Sequence, residues 1–187
     1  MAVEEPKYEI VVQDAGFEVR RYAPFIVAET WVDGDMDAAS GKGFRAIADY
    51  IFGNNKSPQS AASSKIAMTA PVVMQPAREA DGMVGAQRWR VHFVMPSEYT
   101  LASLPTPTNG AVTLREVPAT LVAVAKYSGF NTERRIHEET LALAAWMETR
   151  KLAAVGTAKL ARYDPPWTLP MWRRNEIHME MLPSTAR

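Results

Sequence analysis

Arg20-Arg21-Tyr22-Ala23-Pro24-Phe25-Ile26-Val27-Ala28 leads into Gly34. Ninety-five positions later, Arg115-Glu116-Val117-Pro118-Ala119-Thr120-Leu121-Val122-Ala123 leads into Gly129. Without gaps, Arg20 falls on Arg115, Val27 on Val122, Ala28 on Ala123 and Gly34 on Gly129. A helix-like stretch follows the glycine in both copies. Each unit of such a repeat has a sheet face that it cannot cover alone. The expectation is a single pseudo-two-fold domain over residues 1–187, with repeats spanning about 8–96 and 111–182. A cleft or cavity is expected where the halves meet.

The local patterns fill in each unit. Tyr8 to Val12 and Phe17 to Arg20 read as strands around a turn at Asp14-Ala15-Gly16. Phe25 to Val32 is a longer β-rich run closed by Asp33-Gly34. Asp35 or Asp37 caps a helix whose apolar face carries Phe44, Ile47, Ala48 and Ile51. Ile66 to Met74 reads as a strand bent at Pro71. Trp89 to Met95 alternates as a half-buried strand. In the second half, Val112 to Val117 and Thr120 to Tyr127 read as strands. A helix capped by Asn131 or Thr132 follows, with Ile136, Thr140, Leu143, Ala144 and Met147 on one face. Thr157 to Tyr163 and Asn175 to Leu182 complete the set. The last strand sets Ile177, Met179 and Met181 on one face and Glu176, His178 and Glu180 on the other. The order is β-β-α-β-β, twice: an α+β domain with an antiparallel, barrel-like sheet and two helices.

Composition excludes several function classes. Lys+Arg and Asp+Glu both number 21, which argues against a dedicated nucleic-acid binder. With no cysteine, thiolate catalysis, disulfides and cysteine-bound metal are out. The start lacks the basic and apolar regions of a signal peptide, and no apolar run approaches the roughly 18 residues of a membrane span. A soluble, cytoplasmic protein is expected. Nothing in the chain specifies an oligomeric state.

Gly41-Lys42-Gly43-Phe44-Arg45-Ala46 mimics a dinucleotide-binding fingerprint. That motif belongs in a strand-to-helix turn of a parallel unit, and here it falls within a helix. Small residues for close helix packing are the better reading. His92, His137 and His178 are the only histidines, and their spacing supports no metal site. Each is read as a surface residue. The ten methionines are read mainly as core filling. Glu176, after Arg173-Arg174-Asn175, has two readings. It is either an exposed carboxylate paired with an arginine or a cavity acid with a raised pKa.

Four stretches resemble the SOUL/haem-binding-protein family: Glu18-Val19-Arg20-Arg21-Tyr22; Lys65-Ile66-Ala67-Met68-Thr69-Ala70-Pro71-Val72; Phe93-Val94-Met95-Pro96; and Tyr163-Asp164-Pro165-Pro166 with Arg173-Arg174-Asn175-Glu176. They occur in the family's order over nearly the whole chain. The resemblance implies a duplicated ββαββ unit forming a distorted barrel flanked by two helices. It also implies binding of haem or another tetrapyrrole near the first helix and the late Tyr-Asp-Pro-Pro loop. By position it assigns Phe44, Arg45, Asp49 and Tyr163 to the site, with Met68 a weaker member and Lys42 a basic partner for propionates. Some members use an axial histidine near the N-terminal strands, whereas this chain has none before His92. Coordination would therefore fall to Tyr163, a methionine or another histidine. Otherwise binding is mainly hydrophobic.

The fold also resembles gyrase-inhibitor-like effector domains, which bind small, often cationic molecules through a late-strand glutamate. Some relatives of those domains are hydrolases. Glu176 matches that glutamate by general location, so a second reading makes it the base of a small-molecule hydrolase. A third reading is a protein-interaction module using Trp167, Met171 and Trp172.

Overall fold

The structure is a computed structural model describing residues 3–60, 62–78 and 82–182. Its elements are β1 Tyr8–Asp14, β2 Phe17–Tyr22, β3 Phe25–Asp33, α1 Met36–Ile51, β4 Asn55–Lys56, β5 Val72–Pro76 and β6 Arg88–Val94. They continue as β7 Thr106–Pro107, β8 Thr113–Val117, β9 Thr120–Tyr127, α2 Glu133–Thr149, β10 Ala154–Arg162 and β11 Asn175–Met181. The main sheet is antiparallel, with strand order β1-β2-β9-β11-β10-β5-β6-β3-β8. It is an α+β fold whose sheet stays open between β1 and β8. β4 and β7 form a separate two-stranded ribbon.

Setting β1 aside, this order reads the same from either end when the halves are exchanged. β2-β3-α1-β5-β6 corresponds to β8-β9-α2-β10-β11. The register repeats the correspondence residue by residue. Arg20 lies opposite Val122, and Arg115 lies opposite Val27. His92 lies opposite Glu29, and His178 lies opposite Val124. The pair Met74 and Leu160 sits on the pseudo-two-fold axis. The first strand of each repeat does not pair with the second strand of its own repeat: β2 joins β9, and β8 joins β3.

Local chemistry explains the element ends. Ala15 and Gly16 carry the positive φ angles that a two-residue hairpin turn needs. Asp35 accepts a hydrogen bond from the Ala38 N–H (2.8 Å) and Thr132 accepts one from Arg135 (3.2 Å), which starts the two helices. The repeated glycines share a cause. Gly34 has φ 127° and Gly129 φ 107°, a conformation that L side chains avoid.

Both helices pack on one face of the sheet, where Trp89, Val91, Phe93, Leu160 and Ile177 form the core. Among the methionines, Met74, Met95, Met179 and Met181 fill this core. The helix faces differ in detail from the sequence pattern. Trp146 takes the buried place expected for Ala144, and Phe44 is displaced to the edge of α1. The strand expected from Ile66 begins only at Val72, past Pro71, which has no N–H for a ladder.

The Gly41-Lys42-Gly43 sequence lies inside α1, and its use is steric. A Cβ on Gly43 would stand 2.6 Å from the Val91 side chain. Gly43→Ala should therefore destabilise the fold by about 1–2 kcal/mol, despite the better helix propensity of alanine. Urea denaturation measures this, and a neutral or stabilising result would show that α1 can move away from β6.

Candidate functional site

On the sheet face away from the helices, alternation in β2 places Glu18, Arg20 and Tyr22 side by side. Arg20 is fully buried. It donates to Glu18 (2.7 Å), to Tyr22 (3.0 Å) and through two nitrogens to Glu176 of β11 (2.8 and 2.9 Å). Its guanidinium lies 4.3 Å from the centre of the Tyr8 ring. Glu18 also pairs with Lys126. Burial opposes the Arg20 charge, but the bonds to Glu176 outweigh it and keep the guanidinium charged.

Glu176 is fully buried too. Besides Arg20, it accepts hydrogen bonds from Arg174 (2.9 Å), the Tyr163 hydroxyl (2.8 Å) and His178 Nε2 (2.7 Å). Burial by itself would raise its pKa; the bonds from His178 and Arg20 more than reverse this and hold the carboxyl well below its ordinary range. Because a carboxylate only accepts, His178 Nε2 carries the proton, and Nδ1 of the neutral ring is left as an acceptor. Burial lowers the pKa of both His178 and His92, although Glu176 pulls the His178 value the other way. Arg174 continues the network to Glu5 (3.0 Å) and stacks over Tyr163 at 3.7 Å.

The surface placement expected for His92 and His178 is corrected by this geometry. They are 6% and 9% exposed, and only His137, on α2, faces solvent. Alternation assigns them to a polar face, and such a face is ordinarily wet. Here the N-terminal segment crosses over it, with Ala70 N–H donating to Glu4 O and Ala23 N–H to Lys7 O. Glu176 combines features of both earlier readings: it is enclosed, yet it is paired with arginine and not raised in pKa. Pattern reasoning missed Arg20 as its partner. The available signal was the Arg20–Arg115 identity in the repeat, since a charge repeated inside a strand calls for a counter-charge.

The residues assigned by resemblance do not converge on one point. Lys42, Arg45 and Asp49 lie on the solvent side of α1. Lys42 donates to the Asp33 carbonyl, and Asp49 accepts from Asn54. Phe44 is 39% exposed and packs against Phe93. Met68 is exposed in the segment before Pro71. Tyr163 sits across the sheet, bound to Glu176. Burial, together with the Glu176 charge, drives its phenol pKa far up.

A groove of about 590 Å³ opens between the starts of α1 and α2, with Phe130, Arg162 and Arg173 among its walls beside the carboxylates Asp35, Asp37 and Glu133. Phe130, Trp167, Leu169, Met171 and Trp172 are all exposed along the neighbouring loops. Arg173 holds the loop through the carbonyls of Thr168 and Pro166. Among the described residues, no group of acidic or histidine side chains is placed to hold a metal ion. No described helix is long and apolar enough to cross a membrane.

The chain belongs to the SOUL heme-binding protein family, whose model matches residues 3–180. Among solved structures, the chain is similar to the C-terminal domain of EcmrR, with 12% identity over 94% of this chain and 98% of that one and a TM-score of 0.66. It is also similar to a hydrolase from Listeria innocua, with 12% identity over 92% and 94% of the two chains and a TM-score of 0.61. At these identities the likeness defines the fold alone. A comparison with curated proteins gave no match.

The buried network makes a stability prediction. Glu176→Gln leaves Arg20 without its main counter-charge and should cost roughly 3 kcal/mol or more in urea denaturation at pH 7. The pH dependence has a definite sign. The lowered Glu176 pKa contributes stability above its unfolded value near 4.3, and that contribution fades as acid approaches the folded value. The lowered His92 and His178 values add a loss that begins below about pH 6.5, where the unfolded chain binds more protons. Stability that stayed flat from pH 7 to pH 4 would contradict the network as described.

Proposed function

We propose that the protein binds haem or a related tetrapyrrole through apolar contact and basic side chains, without an axial histidine. The groove between the helix starts, with Phe130 in its wall, exposed aromatic residues on the neighbouring loops and two arginines among its acids, supports this reading. Its volume falls within the roughly 300–1,000 Å³ of small-molecule sites. A tetrapyrrole bearing propionates is a flat apolar plate with an anionic edge. Phe130 and the Trp167–Trp172 loop offer apolar cover, and the N–H groups of Arg162 and Arg173 not taken by Ser40 or by the Thr168 and Pro166 carbonyls offer partners for carboxylates. Further along α1, Phe44 lies between Lys42 and Arg45. Membership of a heme-binding family supports the same ligand class. Bound haem would supply the iron and its redox chemistry; the protein's residues bind and orient the plate.

In this reading Tyr163 anchors the late loop and is not a ligand. Its hydroxyl already donates to Glu176, and ionising it beside that carboxylate is unfavourable. Met68, exposed before Pro71, is not among the groove's walls. Asp49 secures the end of α1 through Asn54. The hydrolase reading is weaker because Glu176 accepts five hydrogen bonds, which leaves a poor base.

Haemin titration should give a Soret shift that saturates near one equivalent. Phe130→Ala and Trp172→Ala should each weaken binding by roughly tenfold, as expected for losing one aromatic contact. Tyr163→Phe should leave the Soret position unchanged. Non-saturating uptake, indifferent to these changes, would overturn the proposal.

One observation favours the interaction-module reading: Trp167 is 82% exposed and Trp172 71%. Sedimentation at increasing concentration tests self-association through this patch. Association abolished by Trp167→Ser with haemin binding unaffected would assign the patch to a protein partner.

A further inference from the structure

A second cavity, of about 200 Å³, lies on the opposite sheet face from the helix-side groove. It straddles the pseudo-two-fold axis, and its walls include repeat-related pairs. His92 is matched by His178, Val73 by Lys159, and Val94 by Glu180. The histidines are kept in both halves, whereas two valines of the first half are charged in the second. The remaining wall is largely apolar, with Tyr22, Phe25 and Val122.

The charges here do not cancel. Arg115 binds Glu29 through two nitrogens, and Lys159 pairs with Glu180. Arg90 also lines the cavity; it donates to the Gln75 side chain, and its nearest carboxylate, Glu29, is 3.8 Å away and already bonded to Arg115. Arg90 Nε is buried without a hydrogen-bond partner among the described residues, and so is His92 Nδ1. An orphan buried donor costs free energy, and a guanidinium that only shares a distant carboxylate costs more. Burial weighs against the Arg90 charge, with Glu29 compensating only in part. The result is one cation in excess, two imidazoles whose charged forms burial disfavours and an apolar wall in one cleft.

We propose that this cavity binds a small carboxylate carrying a short apolar tail. The carboxylate would pair with the Arg90 guanidinium, and the tail would lie against Tyr22, Phe25 and Val122. The cation-accepting glutamate expected from the effector-domain resemblance is absent from this chemistry: Glu176 is spent on Arg20, and Glu180 on Lys159. The proposal is independent of haem binding, because the two spaces lie on opposite faces of the sheet.

Hexanoate, hexylamine and hexan-1-ol serve as probes, read by NMR of the three histidine rings in the full chain. Hexanoate should shift the His92 and His178 ring signals saturably and leave exposed His137 unmoved. Hexan-1-ol should bind at least roughly tenfold more weakly, and hexylamine should not bind, given the contribution of a charge-assisted pair. Arg90→Met should weaken hexanoate by a similar factor. Equal or tighter binding of hexylamine or hexan-1-ol would overturn the proposal, as would hexanoate shifts that spare both buried histidines. These arms use the unaltered protein, so they decide the matter even if Arg90→Met fails to fold.

Discussion

A guanidinium with no exposed surface sets the terms for half of this molecule. Arg20 cannot shed its proton, so its burial is tolerable only with anions and acceptors arranged around it. Glu18 comes from its own strand, and Glu176 from a strand two places across the sheet. Glu176 in turn fixes Tyr163, His178 and Arg174, and Arg174 ties down the N-terminal segment at Glu5. The network also selects register. A one-residue slip of β2 against β9 would drive Arg20 into the apolar layer beneath the helices and turn Val19 out of it. Hydrophobic packing alone would hold that register less firmly.

What could be read from the chain follows the range of the forces involved. Helix starts were legible because Asp35 and Thr132 act on N–H groups three residues away. The repeated glycines were legible because a backbone angle is a local demand. The exchange of first strands was not, since pairing of β2 with β9 is decided by the whole sheet. The depth of His92 and His178 was hidden for a related reason. Alternation separates two faces but does not say that a distant segment covers one of them. Glu176 stood out beside Arg173 and Arg174, yet its main partner is 156 residues away.

The family membership and the geometry divide the molecule by face. The helix side carries the groove, the exposed aromatic loop and most of the residues that the family resemblance points to. Across the sheet lie the buried ions and the smaller cavity. Tyr163 belongs to both sides, its backbone leading into the late loop and its hydroxyl held in the ionic network. Arg162, one residue earlier, reaches the other way to Ser40 of α1. The end of β10 therefore makes contacts on both faces of the sheet.

The traded first strands carry a consequence for ancestry. A chain containing only one repeat would leave one edge of its second strand open and, without β1, its first strand unpaired. Two copies would cure both defects at once by lending strands to each other, as an obligate homodimer. Fusing the copies removes the concentration dependence of that assembly. It also ends a restriction: in a dimer every substitution occurs twice, on both sides of the axis. A fused chain can set a lysine at position 159 and keep valine at 73, and a symmetric shell thereby acquires a head and a tail.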